Sequence, residues 1–166
     1  EDRPAREALN TYSQAGELAG SIGHVACKAE AMFGLARCLI GEGKLDEGTE
    51  VLRAAAELVP AAAHGSLRLK CELGLAMAAH GSEELEAAMA RYRAVARAAR
   101  SADLRWILAT ALAGTGATQL HTAEEGAAHA TWEDAQAVAQ GVSPLLSELT
   151  ARSISRCRES LCSPPW

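Results

Sequence analysis

The sequence predicts an all-α protein assembled from antiparallel helical hairpins. Hydrophobic residues make up 49% of the 166 residues but aromatic residues only 4%, so alanine supplies much of the apolar content. Alanine is the best helix former, and its small side chain lets helices approach closely. Apolar residues recur at helical spacing in short segments that glycine or proline separates. A β-sandwich of this length would need many more β-branched and aromatic residues, so the helical class is preferred.

One complete hairpin is encoded between Glu30 and Pro60. Leu35, Leu39 and Ile40 form an apolar stripe on a first helix. Glycines then interrupt the pattern, and acidic residues restart a helix whose dipole favours negative charge in the first turn. The proline ends this second helix. The signals of the turn and the second helix are Gly41, Gly43, Asp46, Glu47, Val51, Leu52, Ala55 and Leu58.

This hairpin resembles a tetratricopeptide repeat, a unit of about 34 residues that forms two helices. Laid on the repeat pattern from Ala29, the stretch matches without a gap. Two positions that are aromatic in the repeat pattern are hydrophobic but not aromatic in this chain. The small, apolar and turn positions of the pattern are taken by Leu35, Ala36, Gly43, Gly48, Ala55 and Pro60.

Two further copies follow the same pattern. In the second, Leu73-Gly74 is matched to the leucine–glycine pair of the repeat, and one extra residue is placed before Ala88. In the third, Gly116 and Trp132 fall in register, although Thr115 and Gln119 stand where apolar residues are expected. The spacings of 38 residues from Ala36 to Gly74 and of 42 from Gly74 to Gly116 exceed the standard repeat. Such longer repeats are similar to those of bacterial signal-transducing regulators and kinesin light chains.

The predicted organisation is a single domain over residues 1–166. The resemblance implies an αα-superhelix in which stacked hairpins bury a shared apolar face, with about eight helices and no strands. Its parts are a lone second helix (5–20), repeat 1 (22–62), repeat 2 (63–100), repeat 3 (101–142), a C-terminal capping helix (143–162) and a tail (163–166). Hairpin turns are expected near Gly41–Gly43, Gly81–Ser82 and Thr122–Ala123.

Composition and charge narrow the class of protein. The formal net charge of −5 disfavours nucleic acid as a partner, since nucleic-acid binders carry a basic footprint. No apolar run is long enough for a membrane span, and no signal peptide is visible. The five cysteines are odd in number and include no CxxC pair, which indicates reduced thiols and a cytoplasmic location. The first residue is Glu1, so we expect a part of a larger, multidomain protein.

Signatures of catalysis are absent from the sequence. There is no GxSxG, GxxxxGKS or HExxH motif and no zinc-ribbon spacing. None of the five histidines has another histidine four residues away, the spacing that binds zinc on one helix face. We therefore predict that the chain is not an enzyme and holds no cofactor, no metal ion and no catalytic residue.

A partner-binding surface is the remaining candidate site. The resemblance implies that the first helix of each hairpin lines the inner face of the superhelix. Phe33 and Trp106 are favoured as contacts because aromatics dominate interface energetics, although both could instead fill the core. Arg93, Arg97 and Arg100 form a separate stripe, interpreted as a solvated outer face rather than a phosphate-binding surface. The predicted groove residues are Glu30, Phe33, Arg37, Arg68, Glu72, Trp106, Thr110 and His121.

Two functions fit these sequence features. The first is a non-catalytic scaffold that binds a protein or peptide partner in the concave groove. The alternative is a ligand-sensing or regulatory segment of a larger bacterial transcription regulator or signalling ATPase. A neighbouring nucleotide-binding or DNA-binding domain would favour the second, and a free-standing chain would favour the first.

Overall fold

A computed structural model describes residues 3–59, 65–142, 148, 151–152 and 154–155. Within these residues the chain forms helices and no strand, so the predicted all-α fold class is confirmed. Residues 148, 151–152 and 154–155 are helical, while the rest of the predicted capping helix and the tail lie outside the described residues. The helices are α1 (Arg3–Ser21), α2 (Val25–Gly41), α3 (Leu45–Leu58), α4 (Gly65–Gly81), α5 (Leu85–Ser101), α6 (Arg105–His121) and α7 (Glu125–Gln140).

The chain divides into two compact units, residues Glu1–Glu84 and residues Leu85–Trp166. In the first unit α2 packs against α1 and α3, and α4 packs against α3 and α2. In the second unit α6 packs against α5 and α7. Helix α1 spans the segment 5–20 that was predicted as a lone second helix, and α2 with α3 forms a helical hairpin. No helix within the described residues is long and apolar enough to cross a membrane.

Five connections between helices share one turn geometry. Each helix ends in a two-residue turn whose second residue has a positive φ, as Gly43 does at 79°. The next residue donates its backbone N–H to the carbonyl five positions back, at 2.8–2.9 Å in all five turns. This is the Schellman motif, which satisfies carbonyls that the helix end leaves without partners. The three predicted hairpin turns are confirmed at residues 42–43, 82–83 and 122–123.

The turns reveal a repeat of 40 residues. The positive-φ residues Gly43, Glu83 and Ala123 follow one another at that interval. A glycine on each first helix follows the same interval, and each approaches a large residue of the preceding second helix. A Cβ at any of these glycines would overlap that side chain, so close helix contact requires glycine there. The three pairs are Gly34 with Tyr12, Gly74 with Leu52, and Gly114 with Tyr92.

The sequence register of the second copy is wrong by two residues. At an interval of 40 residues, the equivalent of Leu35-Ala36 is Leu75-Ala76 rather than Leu73-Gly74. The error arose because a first helix has two positions at which a small residue allows close contact, one facing the preceding second helix and one facing the second helix of its own hairpin. Gly74 meets Leu52 of the preceding second helix, whereas Gly116 meets Trp132 of its own hairpin. Both positions accept glycine, so a leucine–glycine match alone cannot distinguish them.

The weak third copy is accommodated by hydrogen bonds. Thr115 is buried, and its Oγ1 donates to the carbonyl of Ala111 at 2.8 Å. Gln119 is also buried, and its Oε1 accepts a hydrogen bond from Thr131 Oγ1 at 2.8 Å. Buried polar groups are tolerated when such partners are present. The two polar residues that departed from the repeat pattern are therefore compatible with a packed α6–α7 pair.

Candidate partner-binding surface

An ion pair joins α2 and α4 on one face of the first unit. Lys70 Nζ lies 2.6 Å from Glu30 Oε1, and the two residues are 40 positions apart in the chain. They therefore occupy equivalent positions of successive first helices. Glu30 was predicted as a surface contact, whereas Lys70 was missed because of the two-residue register error. Counting 40 residues on from Glu30 would have found it.

Arg37 and Phe33 form the second feature of this face. The Arg37 guanidinium carbon lies 5.9 Å from the centre of the Phe33 ring, within the range of a cation–π interaction. Arg37 is exposed, while Phe33 is only 8% exposed and packs in a core cluster with Cys71 and Leu75. Phe33 therefore fills the core, as the alternative interpretation allowed, and its ring contacts the exposed guanidinium. Together with Glu30, Phe33 and Arg37 share one helical stripe.

Arg68 and Glu72 occupy a different position on α4. In the 40-residue register they align with Lys28 and Met32 of α2 rather than with Glu30. Each is two residues from Lys70, a separation that points side chains to different sides of a helix. Arg68 is exposed and Glu72 is half-buried. The structure therefore brings Glu30 together with Lys70, and it does not place Arg68 and Glu72 in the same row.

In the second unit the predicted residues lie along α6. Trp106 and Thr110 are both half-buried, and Thr110 Oγ1 donates to the Trp106 carbonyl at 2.8 Å. His121 ends the helix, is exposed, and places its Nδ1 3.0 Å from the Ala117 carbonyl oxygen. In the 40-residue register the equivalents of Glu30, Phe33 and Arg37 are Thr110, Ala113 and Ala117, so this row carries no charge at those positions, in contrast to the row of the first unit.

A pocket of about 340 Å³ lies in the second unit, near the turn between α5 and α6. Arg105 Nε donates to Asp103 Oδ1 at 3.2 Å at its rim. The pocket combines three charged residues with an apolar wall, and one of its two arginines, Arg105, is paired with Asp103. The lining residues are Arg100, Asp103, Arg105, Leu108, Ala137, Val138 and Gly141.

The described cysteines differ in exposure. Cys27 is exposed, Cys38 is intermediate and Cys71 is buried. Burial raises the pKa of the Cys71 thiol from 9.0 to about 11, with the nearby charges of Glu30 and Glu72 adding to the effect. This thiol is therefore protonated and unreactive at neutral pH. Among the described residues, no group of three or more His, Cys, Asp and Glu side chains could hold a metal ion.

Comparison with known proteins defines the fold class. No protein-family model matches the chain, and no curated protein matches it in sequence. Among solved structures, the chain is similar to the crystal structure of BtubC (BKLC) from P. vanneervenii, with a TM-score of 0.70. The match covers 96% of this chain and 67% of BtubC at 14% sequence identity. Because BtubC is a helical-repeat protein, the likeness shows an all-α helical-repeat fold.

Proposed function

We propose that the chain is a non-catalytic, tetratricopeptide-like scaffold that binds a protein or peptide partner through the first helices of its hairpins. The observation that carries the proposal is the row on α2 and α4, where the Glu30–Lys70 ion pair lies on the same face as Arg37. Helical-repeat folds present extended surfaces for such binding. In the second unit, the half-buried Trp106 on α6 is a separate candidate contact, an aromatic residue of the kind that dominates interfaces.

The chemistry of the row favours a peptide with an acidic side chain. Arg37 is exposed and held over an aromatic ring, so its guanidinium is positioned to form a bidentate pair with a carboxylate. Glu30 and Lys70 offer one charge of each sign nearby. Met77, the equivalent of Arg37 on α4, is half-buried and adds an apolar contact. The partner segment would therefore carry a carboxylate opposite Arg37 and an apolar residue opposite Met77.

The experiment is a selection of binding peptides against the full chain, followed by titration of the best peptide with variants. Arg37→Glu should weaken binding by about thirtyfold, the effect of losing a central contact worth about 2 kcal/mol. Trp106→Ala, in the second unit, tests separately whether that unit also contacts the peptide. Arg53→Glu on α3 and Arg97→Ala on α5 are the matched controls on second helices, where both residues are exposed. Loss of binding with Arg97→Ala alone would assign the site to the second helices instead.

A second set of variants tests which residues of α4 take part. Lys70→Glu should weaken peptide binding more than Arg68→Glu or Glu72→Lys, because Lys70 shares a row with Glu30. Each variant is first compared with the parent by thermal denaturation, so that a change in folding is not mistaken for a change in binding. A larger effect from Arg68→Glu than from Lys70→Glu would support the sequence-based assignment of the α4 contacts instead.

The pocket in the second unit supports the alternative function, a ligand-sensing segment. Its volume of about 340 Å³ and its two arginines against one aspartate, Asp103, suit a small carboxylate or phosphate compound. A thermal-shift screen of small anions would test this, with Arg100→Gln as the pocket variant and Arg97→Gln as its surface control. An anion that stabilises the parent and the control but not Arg100→Gln would favour the sensing function.

A further inference from the structure

One face of α1 is exposed although the same face is buried in every other second helix. Tyr12 is 39% exposed, whereas its equivalents Leu52, Tyr92 and Trp132 are 0%, 4% and 3% exposed. Ala15 is exposed as well. The equivalents of Ala15, in the same order, are the buried residues Ala55, Val95 and Ala135.

In α3 and α7 the buried face is covered by the first helix of the same hairpin. In the first unit, Gly48 of α3 lies so close to α2 that a Cβ there would be 2.7 Å from Ile40 Cγ1. In the second unit, the Trp132 indole N–H of α7 donates to the carbonyl of Ala113 on α6 at 3.2 Å. Gly116 of α6 leaves room for the same ring. In both hairpins, the contact between the two helices thus consists of a small residue on one helix and a large residue on the other.

At the far end of the face the contrast is smaller, because the equivalents of Leu18 are half-buried in α3 and α7 and exposed in α5. Leu18 of α1 is 65% exposed. Its equivalent in α7 is Val138, which lines the same pocket as Leu108 of the first helix α6. One edge of the Tyr12 ring packs against Gly34 of α2. The exposed edge is therefore an ordered apolar surface rather than a loose side chain.

We propose that this face, the α1 seat formed by Ala8, Tyr12, Ala15 and Leu18, binds one more first helix. That helix would run antiparallel to α1, carry glycine or alanine opposite Tyr12, and belong to a repeat that precedes α1 in the polypeptide. The 40-residue repeat supports this source, because α3 and α7 follow their covering helices directly in the chain.

The test is an in-register graft. In the 40-residue register, residue 5 is the equivalent of the residue that directly follows residue 44. A copy of residues 24–44 fused directly before Ala5 therefore places a first helix and its turn in the required position. We expect nitration of Tyr12 by tetranitromethane, measured by mass spectrometry, to slow at least fivefold. Nitration of Tyr92, which is only 4% exposed, is the internal reference and should not change.

Two matched variants show whether protection comes from the seat. In the graft, glutamate in place of the copied Ala36 puts a charge opposite Tyr12 and should restore nitration. In α1, Ala15→Lys should restore it too, while leaving the ungrafted chain unaffected because Ala15 is exposed there. Equal protection in the glutamate graft, or no protection in the parent graft, would overturn the proposal.

Two further measurements cover failure of the graft and self-association. If the graft does not fold, a synthetic peptide of residues 24–44 is added to the ungrafted chain. Saturable protection of Tyr12 by the peptide supports the proposal, and its absence at millimolar peptide overturns it. The proposal is also overturned if sedimentation shows that the ungrafted chain is a dimer that Ala15→Lys dissociates, since a second copy would then cover the seat.

Discussion

Three of the helix-ending turns place a residue with a side chain in the left-handed region. Glu83, Asp103 and Ala123 have φ values of 61°, 51° and 61°, where Gly23 and Gly43 occupy the equivalent turns at 69° and 79°. An L-residue in this region is strained by roughly 1–2 kcal/mol because its Cβ crowds the following carbonyl. Local strain in these turns is therefore a readily tested property of single residues.

Ala123→Gly should stabilise the protein. Glycine removes the Cβ contact and so relieves the strain of the folded state. This gain in free energy exceeds the entropic cost of ordering a glycine, so we expect an increase of about 0.5–1 kcal/mol in the free energy of unfolding. Urea denaturation measures it. The control is Ala130→Gly, an exposed site inside α7, which should cost about 1 kcal/mol of helix propensity. Destabilisation by both changes would show that Ala123 is not strained.

Gly74→Leu should destabilise the protein. A Cβ at this position would lie 2.8 Å from Leu52 Cδ2, and Leu52 is fully buried. Overpacking of this kind costs about 1–3 kcal/mol, while the opposing gain in helix propensity is about 1 kcal/mol or less. The control is Gly126→Ala in α7, where no atom lies within 4 Å of the added Cβ, and which should raise the midpoint of thermal unfolding. A Gly74→Leu variant that melts at or above the parent temperature would contradict the contact.

Cys71 should make stability depend on alkaline pH. Its pKa is raised from 9.0 to about 11 by burial, so the folded state retains a proton that the unfolded state releases. The contribution is complete below pH 9 and is lost as pH rises through about 11. Cys71→Ala should lack this loss, which urea denaturation across that range would reveal. At neutral pH, iodoacetamide should label Cys27 well before Cys71, and equal labelling of the native protein would contradict the burial.

At the scale of the helical elements, the sequence predicted the hairpins well and one register badly. Glycine and helical periodicity located the three hairpin turns, because those signals are local. The register of α4 depends instead on which neighbouring helix each glycine touches, and that is a long-range property. Gly74 contacts Leu52 of α3, whereas Gly116 contacts Trp132 of its own hairpin. A pattern match that uses glycine identity alone treats them as one position.

The same error determined what could be predicted of the candidate site. Glu30 and Arg37 were found because the first copy is in register, and Lys70 was replaced by its neighbours Arg68 and Glu72. Burial of Phe33 could not be derived either, since it depends on Cys71 and Leu75 of the next first helix. Periodicity indicates which residues share a stripe, but only packing shows which of them stay accessible.

The indole of Trp132 joins two elements, and its loss should be measurable. The ring is 3% exposed, fits against Gly116, and donates its N–H to the Ala113 carbonyl at 3.2 Å. Trp132→Phe removes that donor and part of the ring, so we expect a loss of about 1–3 kcal/mol. Thermal unfolding followed by circular dichroism measures it. Adding Gly116→Ala to Trp132→Phe should recover part of the loss, and an additive further loss would contradict the fit.

At the scale of the whole molecule, the chain forms two compact units, and the first of them has its own buried cluster. Phe33, Leu52 and Cys71 of α2, α3 and α4 meet in that cluster. In helical-repeat proteins stability is close to a sum of terms within repeats and between neighbours, so a segment that contains its own contacts can fold by itself. The first unit is therefore a candidate for independent folding.

A fragment of residues 1–84 should be helical and unfold cooperatively. It retains α4, which covers Leu52 through the close contact at Gly74 and keeps Cys71 in the cluster with Phe33. A fragment of residues 1–59 lacks α4, so Phe33 and Leu52 lose these neighbours and the apolar face opens to water, at about 25 cal/mol for each Å² exposed. Circular dichroism melts of the two fragments make the comparison. The longer fragment should show a sigmoidal transition and the shorter one a broad, weak change. If the fragment of residues 1–59 unfolds with as sharp a transition and as high a midpoint as the fragment of residues 1–84, α4 is not part of the cooperative unit. The shared cluster would then not stabilise the first unit.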